Sequence, residues 1–419
     1  MSNSSPFARW LRDRVLSQLD GLQHGRITLI DGGLRRTLGP AQDTSGLHAT
    51  IHVLDPAFYP AVAFSGSVGA GASYAEGQWT SDDLSTLIRI MVRNRAVVEG
   101  MESGVARLTA PLRAGYHWLR RNTRAGSKQN IEAHYDLGND FFRLFLDDTM
   151  TYSCGVFESP RSTLEEASVA KIDRICRKLD LRPEHHVLEI GTGWGGFARH
   201  AAERYGCRVT TTTISPSQHR MAVDRVREAG LEDRVDVRLE DYRDLDGRYD
   251  RVVSIEMIEA VGHKFYDEFF RVCSERLKPD GMMLLQAITI QDQFFRQALG
   301  EVDFIQRYIF PGSCIPSIEA IGASLTRATD MKMFHLEDIG PHYARTLAAW
   351  RDRLGANRES VLALGYPEHL LRLWDFYFSY CEGGFEERAL GTVQVLLTKP
   401  LCRAAALVPP LAPPHVIGH

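Results

Sequence analysis

A glycine-rich turn is the strongest chemical signal in this chain of 419 residues. Residues 187–196 read VLEIGTGWGG, so that Gly191 and Gly193 directly follow an apolar run typical of a buried strand. Glycines at a strand-to-helix junction permit a tight turn and let a ligand approach the backbone. The pattern predicts a small-molecule site at the carboxyl end of a parallel strand. A dinucleotide-dependent oxidoreductase is one interpretation of it.

Two further details favour a different ligand. The Glu-x-Gly-x-Gly-x-Gly spacing that begins at Glu189 resembles the first motif of S-adenosylmethionine-dependent methyltransferases. Asp241 and Tyr242 follow the third predicted strand, where such enzymes hold the adenine. The second strand is not followed by the acid that usually binds ribose hydroxyls. We therefore expect the hydroxyl of Thr213 and the amide of Gln218 to substitute for that acid.

The elements around this turn alternate between strands and helices. Strands are predicted at residues 186–190, 208–213, 235–239, 251–255 and 282–289, and a last strand at 391–398 is suited to antiparallel pairing at an edge. Helices are predicted at residues 164–179, 196–205 and 217–229. Such alternation indicates an α/β fold with a mainly parallel sheet covered on both faces.

The first hundred residues have a different pattern of predicted secondary structure. A helix at 7–22, short strands at 26–30 and 48–54, and a helix that begins after a cap at 81–84 predict a smaller α+β unit. Its glycine run at 65–73 resembles a phosphate-binding loop only superficially, because the Gly-Lys-Ser/Thr ending is missing. Close packing of a helix or turn is the favoured interpretation.

Five further segments carry a specific family resemblance. They lie at residues 130–142, 148–155, 254–263, 304–312 and 380–385. Together with the glycine turn they resemble the cyclopropane-fatty-acyl-phospholipid synthases and the related mycolic acid methyltransferases. The resemblance implies a Rossmann-like class I S-adenosylmethionine-dependent methyltransferase domain with a helical lid insert at about 292–325. The insert's apolar residues are candidates for an acyl channel or for ordinary core: Phe294, Phe295, Phe304, Ile305, Tyr308, Ile309 and Phe310.

The chain therefore divides into four predicted parts. They are an N-terminal lipid- or membrane-associated domain (1–105), a basic linker (106–129), the methyltransferase domain (130–400) and a C-terminal tail (401–419). No acidic residue occurs between Glu102 and Glu132, whereas six arginines and lysines do. The linker is either a solvated connection or a strip that faces an anionic membrane.

The resemblance implies methylene transfer from S-adenosylmethionine to the cis double bond of an unsaturated phospholipid acyl chain. The methyl group must be held in line with the π bond, and a base must remove a proton from the resulting carbocation. In the family that base is a bound bicarbonate, and a glutamate is the alternative here. The implied catalytic positions are Cys154, Glu259, Gln286, Ile288 (through its backbone), Tyr343 and Cys381. The implied cofactor contacts are Tyr152, Ser153, Glu189, Gly191, Gly193, Trp194, Gly195, Thr213, Ser215, Gln218, Asp241 and Tyr242.

One position departs from the family pattern. Gln286 stands where many members have histidine, and an amide can donate a hydrogen bond but cannot relay a proton. Either bicarbonate is held by a modified network, or Glu259 takes the proton more directly. A branched, methylated chain is the alternative product, and a non-catalytic lipid-binding protein is a third possibility. Cys381 matches a position traditionally assigned to a nucleophile, although the reaction needs no covalent thiol intermediate.

Composition sets the remaining expectations. The net charge of −4 gives no overall nucleic-acid signature, and the seven cysteines form no C-x-x-C pair. They predict reduced thiols and no metal site. No apolar run reaches about 18 residues, so we expect a cytoplasmic protein that contacts the inner face of the membrane peripherally. The resemblance adds the expectation of a homodimer.

Overall fold

The computed structural model describes residues 6–97 and 137–407. The predicted basic linker 106–129 lies outside the described residues, as do positions 130–136 of the first segment that carries the resemblance. Residues 1–5 and 408–419 are also outside them.

Within residues 6–97, a four-stranded sheet and three helices form the N-terminal part. The strands are β1 (Arg26–Asp31), β2 (Leu34–Leu38), β3 (His48–Val53) and β4 (Trp79–Ser81), in the spatial order β2-β1-β3-β4. The helices are α1 (Pro6–Leu19), α2 (Phe58–Ala75) and α3 (Leu84–Arg93). The Asp83 side chain accepts a 2.9 Å hydrogen bond from the Thr86 amide and so caps α3, as the sequence predicts.

The glycine run is part of α2 and serves close packing. Gly66 kinks the helix at φ 50° and ψ −129°. A Cβ atom on Gly69 would lie 1.9 Å from the Ala61 carbonyl oxygen, and one on Gly71 would lie 2.3 Å from the Phe304 ring. The predicted packing role is confirmed.

The larger unit is built on a seven-stranded sheet. Its strands are β5 (His186–Ile190), β6 (Arg208–Thr213), β7 (Val235–Leu239), β8 (Tyr249–Ile255), β9 (Leu277–Ile290), β10 (Lys332–Asp338) and β11 (Leu390–Thr398). The spatial order is β10-β11-β9-β8-β5-β6-β7. The five strands from β9 to β7 are parallel, and β11 pairs antiparallel with both β9 and β10. The antiparallel pairing of β11 is confirmed, but its edge position is wrong, because β10 covers it.

Helices cover both faces of this sheet. They are α4 (Gly138–Arg143), α5 (Leu164–Lys178), α6 (Gly196–Tyr205), α7 (Pro216–Glu228), α8 (Tyr266–Arg276), α9 (Asp292–Ala298), α10 (Phe304–Tyr308), α11 (Ile318–Ala328), α12 (Gly340–Ala356), α13 (Arg358–Ala363) and α14 (Glu368–Glu386). Successive strand residues such as Val187 and Leu188 belong to different apolar clusters, as the two-residue period of a strand requires. The predicted Rossmann-like α/β class is confirmed.

Helix α14 joins the two parts of the molecule. The Tyr74 hydroxyl of α2 donates a 2.5 Å hydrogen bond to Asp375, and Arg89 of α3 forms a 2.7 Å ion pair with Glu387. Apolar residues of the N-terminal helices and of α14 belong to one continuous core. None of the helices in the described ranges is both long and apolar enough to cross a membrane.

Candidate active site

A cavity of about 980 Å³ opens at the carboxyl ends of the parallel strands. The sheet side contributes the glycine turn and the loops after β6, β7 and β8. The lid insert and helices α2, α3 and α14 form the opposite wall. Of the seven apolar residues expected in a channel, Phe295, Ile305 and Phe310 line this cavity. Phe304 instead packs on the Phe376 ring of α14, at a centroid distance of 4.7 Å.

The glycine turn leaves its backbone open to the cavity. Gly191 and Gly193 have φ angles of 102° and 53°, values that residues with a Cβ rarely adopt. The amides of Gly191 and Thr192 both donate to the Thr212 carbonyl oxygen at 3.0 Å, which ties the turn to β6. The turn therefore has the geometry expected of a cofactor-binding loop.

Most of the predicted cofactor positions border the cavity. Those that do are Tyr152, Ser153, Glu189, Gly191, Gly193, Trp194, Thr213, Gln218, Asp241 and Tyr242. Gly195 and Ser215 do not, because both hold helix ends. Gly195 is the left-handed residue before α6, and the Ser215 hydroxyl accepts a hydrogen bond from the Gln218 amide at the start of α7.

The predicted cofactor positions form a polar region that extends from Asp241 to Glu189, and its two ends differ in charge. Asp241 holds Arg243 through two hydrogen bonds, of 2.9 Å and 2.6 Å. Thr213 donates a 3.0 Å hydrogen bond to the Gln218 side chain. Glu189 is buried at the opposite end and accepts a 2.5 Å hydrogen bond from Thr211. Burial raises the pKa of Glu189 to about 8.

Three of the candidate catalytic residues donate hydrogen bonds to the carboxylate of Glu256. This residue was not among the sites predicted from the sequence. Its Oε1 atom accepts hydrogen bonds from the Cys154 amide at 2.9 Å and from Gln286 Nε2 at 2.7 Å. Its Oε2 atom accepts one from the Tyr343 hydroxyl at 2.7 Å. Glu256 follows β8 directly and has a φ of 50°, a left-handed conformation that turns its side chain among these donors. The structure thus gathers Cys154, Gln286 and Tyr343 around one carboxylate.

Glu259 lies three residues further on, in a short 3₁₀ turn. Its Oε1 atom accepts a 2.6 Å hydrogen bond from the Ile288 amide, so the fold brings these two predicted positions together. Its Oε2 atom is buried and has no hydrogen-bond partner among the described residues. Burial, together with the nearby charge of Glu256, raises the pKa of Glu259 to about 8. At neutral pH this carboxyl is therefore mainly protonated.

A chain of buried amides supports Glu256 from behind. Gln394 of β11 donates a 3.0 Å hydrogen bond to the Gln286 oxygen, which leaves the Gln286 amide group to donate to Glu256. Lys178 in turn donates to Gln394 at 2.8 Å. The Gln286 side chain is thereby fixed as a donor, a role that an amide performs without titrating.

Neither cysteine has the surroundings of an activated nucleophile. Cys154 is fully buried, and burial together with the charge of Glu256 raises the pKa of its thiol well above the usual range. The Cys154 amide, rather than its sulfur, contacts Glu256. Cys381 borders the cavity from α14, and burial raises the pKa of its thiol as well. Both thiols are held in the neutral form, which is the poor nucleophile.

A buried lysine is a second residue that sequence reasoning missed. Lys171 of α5 borders the cavity and donates a 2.8 Å hydrogen bond to the Ser153 hydroxyl. Its only sequence signal is a charge on the apolar face of a helix. For Glu256 the signal is an acid directly after a buried strand, a position that faces ligands in α/β sheets.

Comparison with known proteins identifies the family. The model of the mycolic acid cyclopropane synthetase family matches residues 122–395. The chain is 37% identical over 352 residues to the tuberculostearic acid methyltransferase UfaA1 of Mycobacterium tuberculosis, which covers 80% of this chain and 79% of the relative. It is 36% identical over 353 residues to the cyclopropane-fatty-acyl-phospholipid synthase of Escherichia coli K12, with 84% and 88% covered.

Solved structures agree with this assignment. The mycolic acid cyclopropane synthase CmaA1 complexed with SAH and CTAB is 34% identical, covers 65% of this chain and 98% of its own, and superposes with a TM-score of 0.61. The cyclopropane synthase MmaA2 from Mycobacterium tuberculosis gives the same TM-score at 33% identity, over 65% of this chain and 98% of its own. The chain belongs to the mycolic acid cyclopropane synthetase family and is an S-adenosylmethionine-dependent methyltransferase.

Proposed function

We propose that this enzyme transfers a methylene group from S-adenosylmethionine to the cis double bond of unsaturated phospholipid acyl chains, and that Glu256 is the base. One observation carries the proposal. The Cys154 amide, Gln286 and Tyr343 occupy positions to which the family resemblance assigns a bicarbonate, and here all three donate to the Glu256 carboxylate. In this proposal the Glu256 carboxylate replaces the bound bicarbonate as the base.

The residues present fit S-adenosylmethionine. The open glycine turn, the Asp241–Tyr242 pair and the buried carboxylates all border one cavity. The Glu256 carboxylate, which borders the same cavity, would stabilise a sulfonium charge there. When bound, the cofactor supplies an electrophilic methyl group.

The chain's own residues would hold the alkene and handle the proton. Apolar side chains of the lid and of α14 surround the acyl chain and exclude water, which would otherwise capture a carbocation. As the methyl carbon bonds to one alkene carbon, its bond to sulfur breaks and positive charge develops at the other alkene carbon. The ionised Glu256 carboxylate stabilises that charge and accepts a proton from the added methyl group. The electrons of the broken C–H bond close the ring.

Glu256 is better suited than Glu259 to act as the base. Burial raises the pKa of Glu256, whereas its hydrogen bonds from Tyr343, Gln286 and the Cys154 amide oppose that rise and favour the ionised form. Glu259 has only one such donor and stays protonated near neutrality. We therefore propose that Glu256 accepts the proton, in place of Glu259, which the sequence had led us to expect.

A methylene-branched product is the second candidate. If a hydride shifts from the methyl-bearing carbon to the neighbouring cationic carbon before the proton is lost, the positive charge moves to the methyl-bearing carbon. The same base then removes a methyl proton and leaves a methylene (C=CH₂) branch on the open chain. Two observations favour this outcome: the base is tethered to the chain, and one relative is named a tuberculostearic acid methyltransferase. Reduction to a saturated methyl branch would require a separate hydride donor.

Product analysis separates these outcomes. The enzyme is incubated with a monounsaturated phospholipid and S-adenosylmethionine that carries a CD₃ group. Both products retain two deuterium atoms, but only the methylene branch takes up hydrogen under mild catalytic hydrogenation. A deuterated, hydrogenation-resistant chain with cyclopropyl protons in its NMR spectrum supports ring closure. Absence of any deuterated lipid, in a protein that binds SAH, refutes the proposed reaction.

Chemical rescue tests the base. Glu256→Gly removes the carboxylate at a left-handed position where glycine is unstrained, and it leaves space for a small anion. We expect this variant to lose most activity and to regain at least 10-fold when bicarbonate is added. Glu256→Gln, in which the space stays filled, is the matched control and should not respond. A wild-type enzyme that requires bicarbonate would overturn the assignment of Glu256.

Membrane contact is proposed through one face of α1. Phe7 and Trp10 are 58% and 53% exposed, and their rings stack at 6.0 Å. Arg9 and Arg14 are exposed beside them, and the opposite face of α1 is buried against the core. Interfacial aromatic rings with flanking arginines suit an anionic lipid surface. Because α1 packs on α2, which borders the cavity, docking there brings the cavity to the bilayer.

Vesicle sedimentation tests this surface. The double variant Phe7→Ser/Trp10→Ser should bind vesicles that contain phosphatidylglycerol at least 10-fold more weakly, since burying each ring contributes about 1.5–3 kcal/mol. Leu364→Ser, which removes an exposed apolar side chain elsewhere, is the control. Equal binding by both variants and the wild type would exclude the α1 face as the docking site.

A further inference from the structure

Lys171 is a buried cation that is influenced by the charges of Glu256, Glu189 and Asp147 but, among the described residues, forms no direct ion pair with them. Its side chain lies on α5 with 1% exposure, among the largest fully buried side chains of the described residues. An ammonium group has three N–H donors. Within the described ranges, one hydrogen bond to Ser153 is recorded for it, and no ion pair within 4 Å. Burial accordingly lowers the pKa of Lys171.

The placement of Lys171 indicates what it meets. Ser153 directly precedes Cys154, whose amide contacts Glu256, so the Lys171 ammonium lies beside the proposed base. Both Lys171 and Ser153 border the cavity. Asp241 and Tyr242, the candidate adenine contacts, border it from the loop after β7 instead. A cofactor whose methyl group reaches Glu256 must therefore place its amino-acid portion near Lys171.

The charges at this end of the cavity indicate which group of the cofactor Lys171 would bind. Three buried carboxyl groups surround this end of the cavity: Glu189, Glu256 and Glu259. Glu189 and Glu259 are mainly protonated near neutral pH, whereas the ionised Glu256 suits the sulfonium and the amino group of the cofactor and would repel its carboxylate. Of the lysines and arginines that border the cavity, Lys171 is the one beside Ser153. The other such residues at the cavity are Arg95, Arg243 and Arg307, which lie just after α3, in the loop after β7 and in the lid.

We propose that the Lys171 ammonium and the Ser153 hydroxyl together bind the α-carboxylate of S-adenosylmethionine. The inference rests on cofactor binding and does not depend on the lipid substrate or on the product. Ion pairing with the bound carboxylate supplies the partner that the ammonium lacks.

Ligands with and without the carboxylate test the proposal. Binding of SAH, of decarboxylated S-adenosylmethionine and of methylthioadenosine is measured by calorimetry on the full chain. Lys171→Met should weaken SAH binding about 10- to 100-fold, the range expected for a charge-assisted contact. The two ligands without a carboxylate should keep their affinity within about 2-fold. Ser153→Ala should show the same selectivity with a smaller loss.

Two controls keep the result interpretable. Lys399→Met removes another largely buried ammonium, one that does not border the cavity, and should not change the ratio of SAH affinity to methylthioadenosine affinity. Lys171→Arg, which keeps the charge, should restore part of the SAH affinity. If Lys171→Met weakens all three ligands equally, or weakens none, carboxylate recognition is refuted. A failure of the proposed lipid reaction would leave these binding ratios unaffected.

Discussion

The two walls of the cavity differ in almost every physical respect. The sheet wall carries charged groups fixed by hydrogen bonds, with Glu256 held by three donors and Lys171 by Ser153. The helical wall, formed by the lid insert with α2, α3 and α14, contributes mainly apolar side chains such as Val68, Met91 and Phe310. The sheet wall is built for proton transfer and cofactor charge, and the helical wall for holding an acyl chain.

This difference means that the two functions should be separable by mutation. Changes on the sheet wall should alter the rate with little effect on lipid affinity. Changes on the helical wall should alter the KM for lipid without affecting the binding of SAH. The first two of the following experiments would give a different result if the two walls were strongly coupled.

The largest effect is expected at Glu256. Glu256→Gln keeps the shape of the side chain but removes the proton acceptor, so kcat should fall about 10²- to 10⁴-fold, the usual contribution of a general base. Single-turnover assays with labelled cofactor measure this loss, and calorimetry should give SAH affinity within about 3-fold of wild type. A KM effect larger than the kcat effect would show that Glu256 mainly holds substrate.

A bulky substitution on the helical wall should have an intermediate effect. Met91→Trp on α3 narrows the apolar part of the cavity, so the KM for phospholipid should rise about 10-fold, since displacing a few methylene groups from an apolar site costs about 0.8 kcal/mol each. Steady-state assays over a series of acyl chain lengths measure the change. Leu364→Trp, at an exposed site away from the cavity, is the control. Weakened SAH binding in Met91→Trp would contradict the separation of the walls.

The smallest effect concerns stability and pH at Glu259. Its pKa is near 8 in the folded protein and near 4.5 ordinarily, so the folded state keeps a proton that the unfolded chain releases. The wild type therefore loses stability as pH rises from about 4.5 to 8, by at most about 1.4 kcal/mol per unit of pKa displacement. Glu259→Gln lacks this loss.

Urea unfolding of wild type and variant at several pH values tests that slope. The stability of Glu259→Gln relative to wild type should increase between pH 5 and 8 and then level off. Taking the difference cancels the similar contribution expected from Glu189, whose pKa is also near 8. A difference that is constant with pH would mean that Glu259 is ionised in the folded protein.

Local patterns predicted the sheet wall well, since its signals lie within short stretches. The glycine turn is set by a few consecutive residues, and β5 was predicted to the residue. The position of β11 in the sheet was not predicted correctly, because strand order depends on which strand covers an edge. The strand that covers β11 is β10, which follows a helical insert and has no clear alternating pattern.

The central role of Glu256 was missed for a related reason. The segment 254–263 contains two glutamates, and the family resemblance selects Glu259. The left-handed backbone at Glu256 and the convergence of Cys154, Gln286 and Tyr343 join parts of the chain separated by up to 189 positions, from 154 to 343. Such long-range contacts leave no periodic pattern in a single sequence. Glu259 and Ile288 were found because motifs named them, although their mutual hydrogen bond became visible only in the fold.

The insertion of β11 between β9 and β10 sets the order in which the active site can be completed during synthesis. Gln394, which orients Gln286 and through it Glu256, is carried by the last strand of the sheet. A ribosome that has released only the residues before 390 exposes a nascent chain with the glycine turn, Lys171 and Glu256 but without this support. The base therefore reaches its final surroundings only after β11 has emerged, whereas the elements of the cofactor site precede Gln394 by some 150 residues, counted from Asp241.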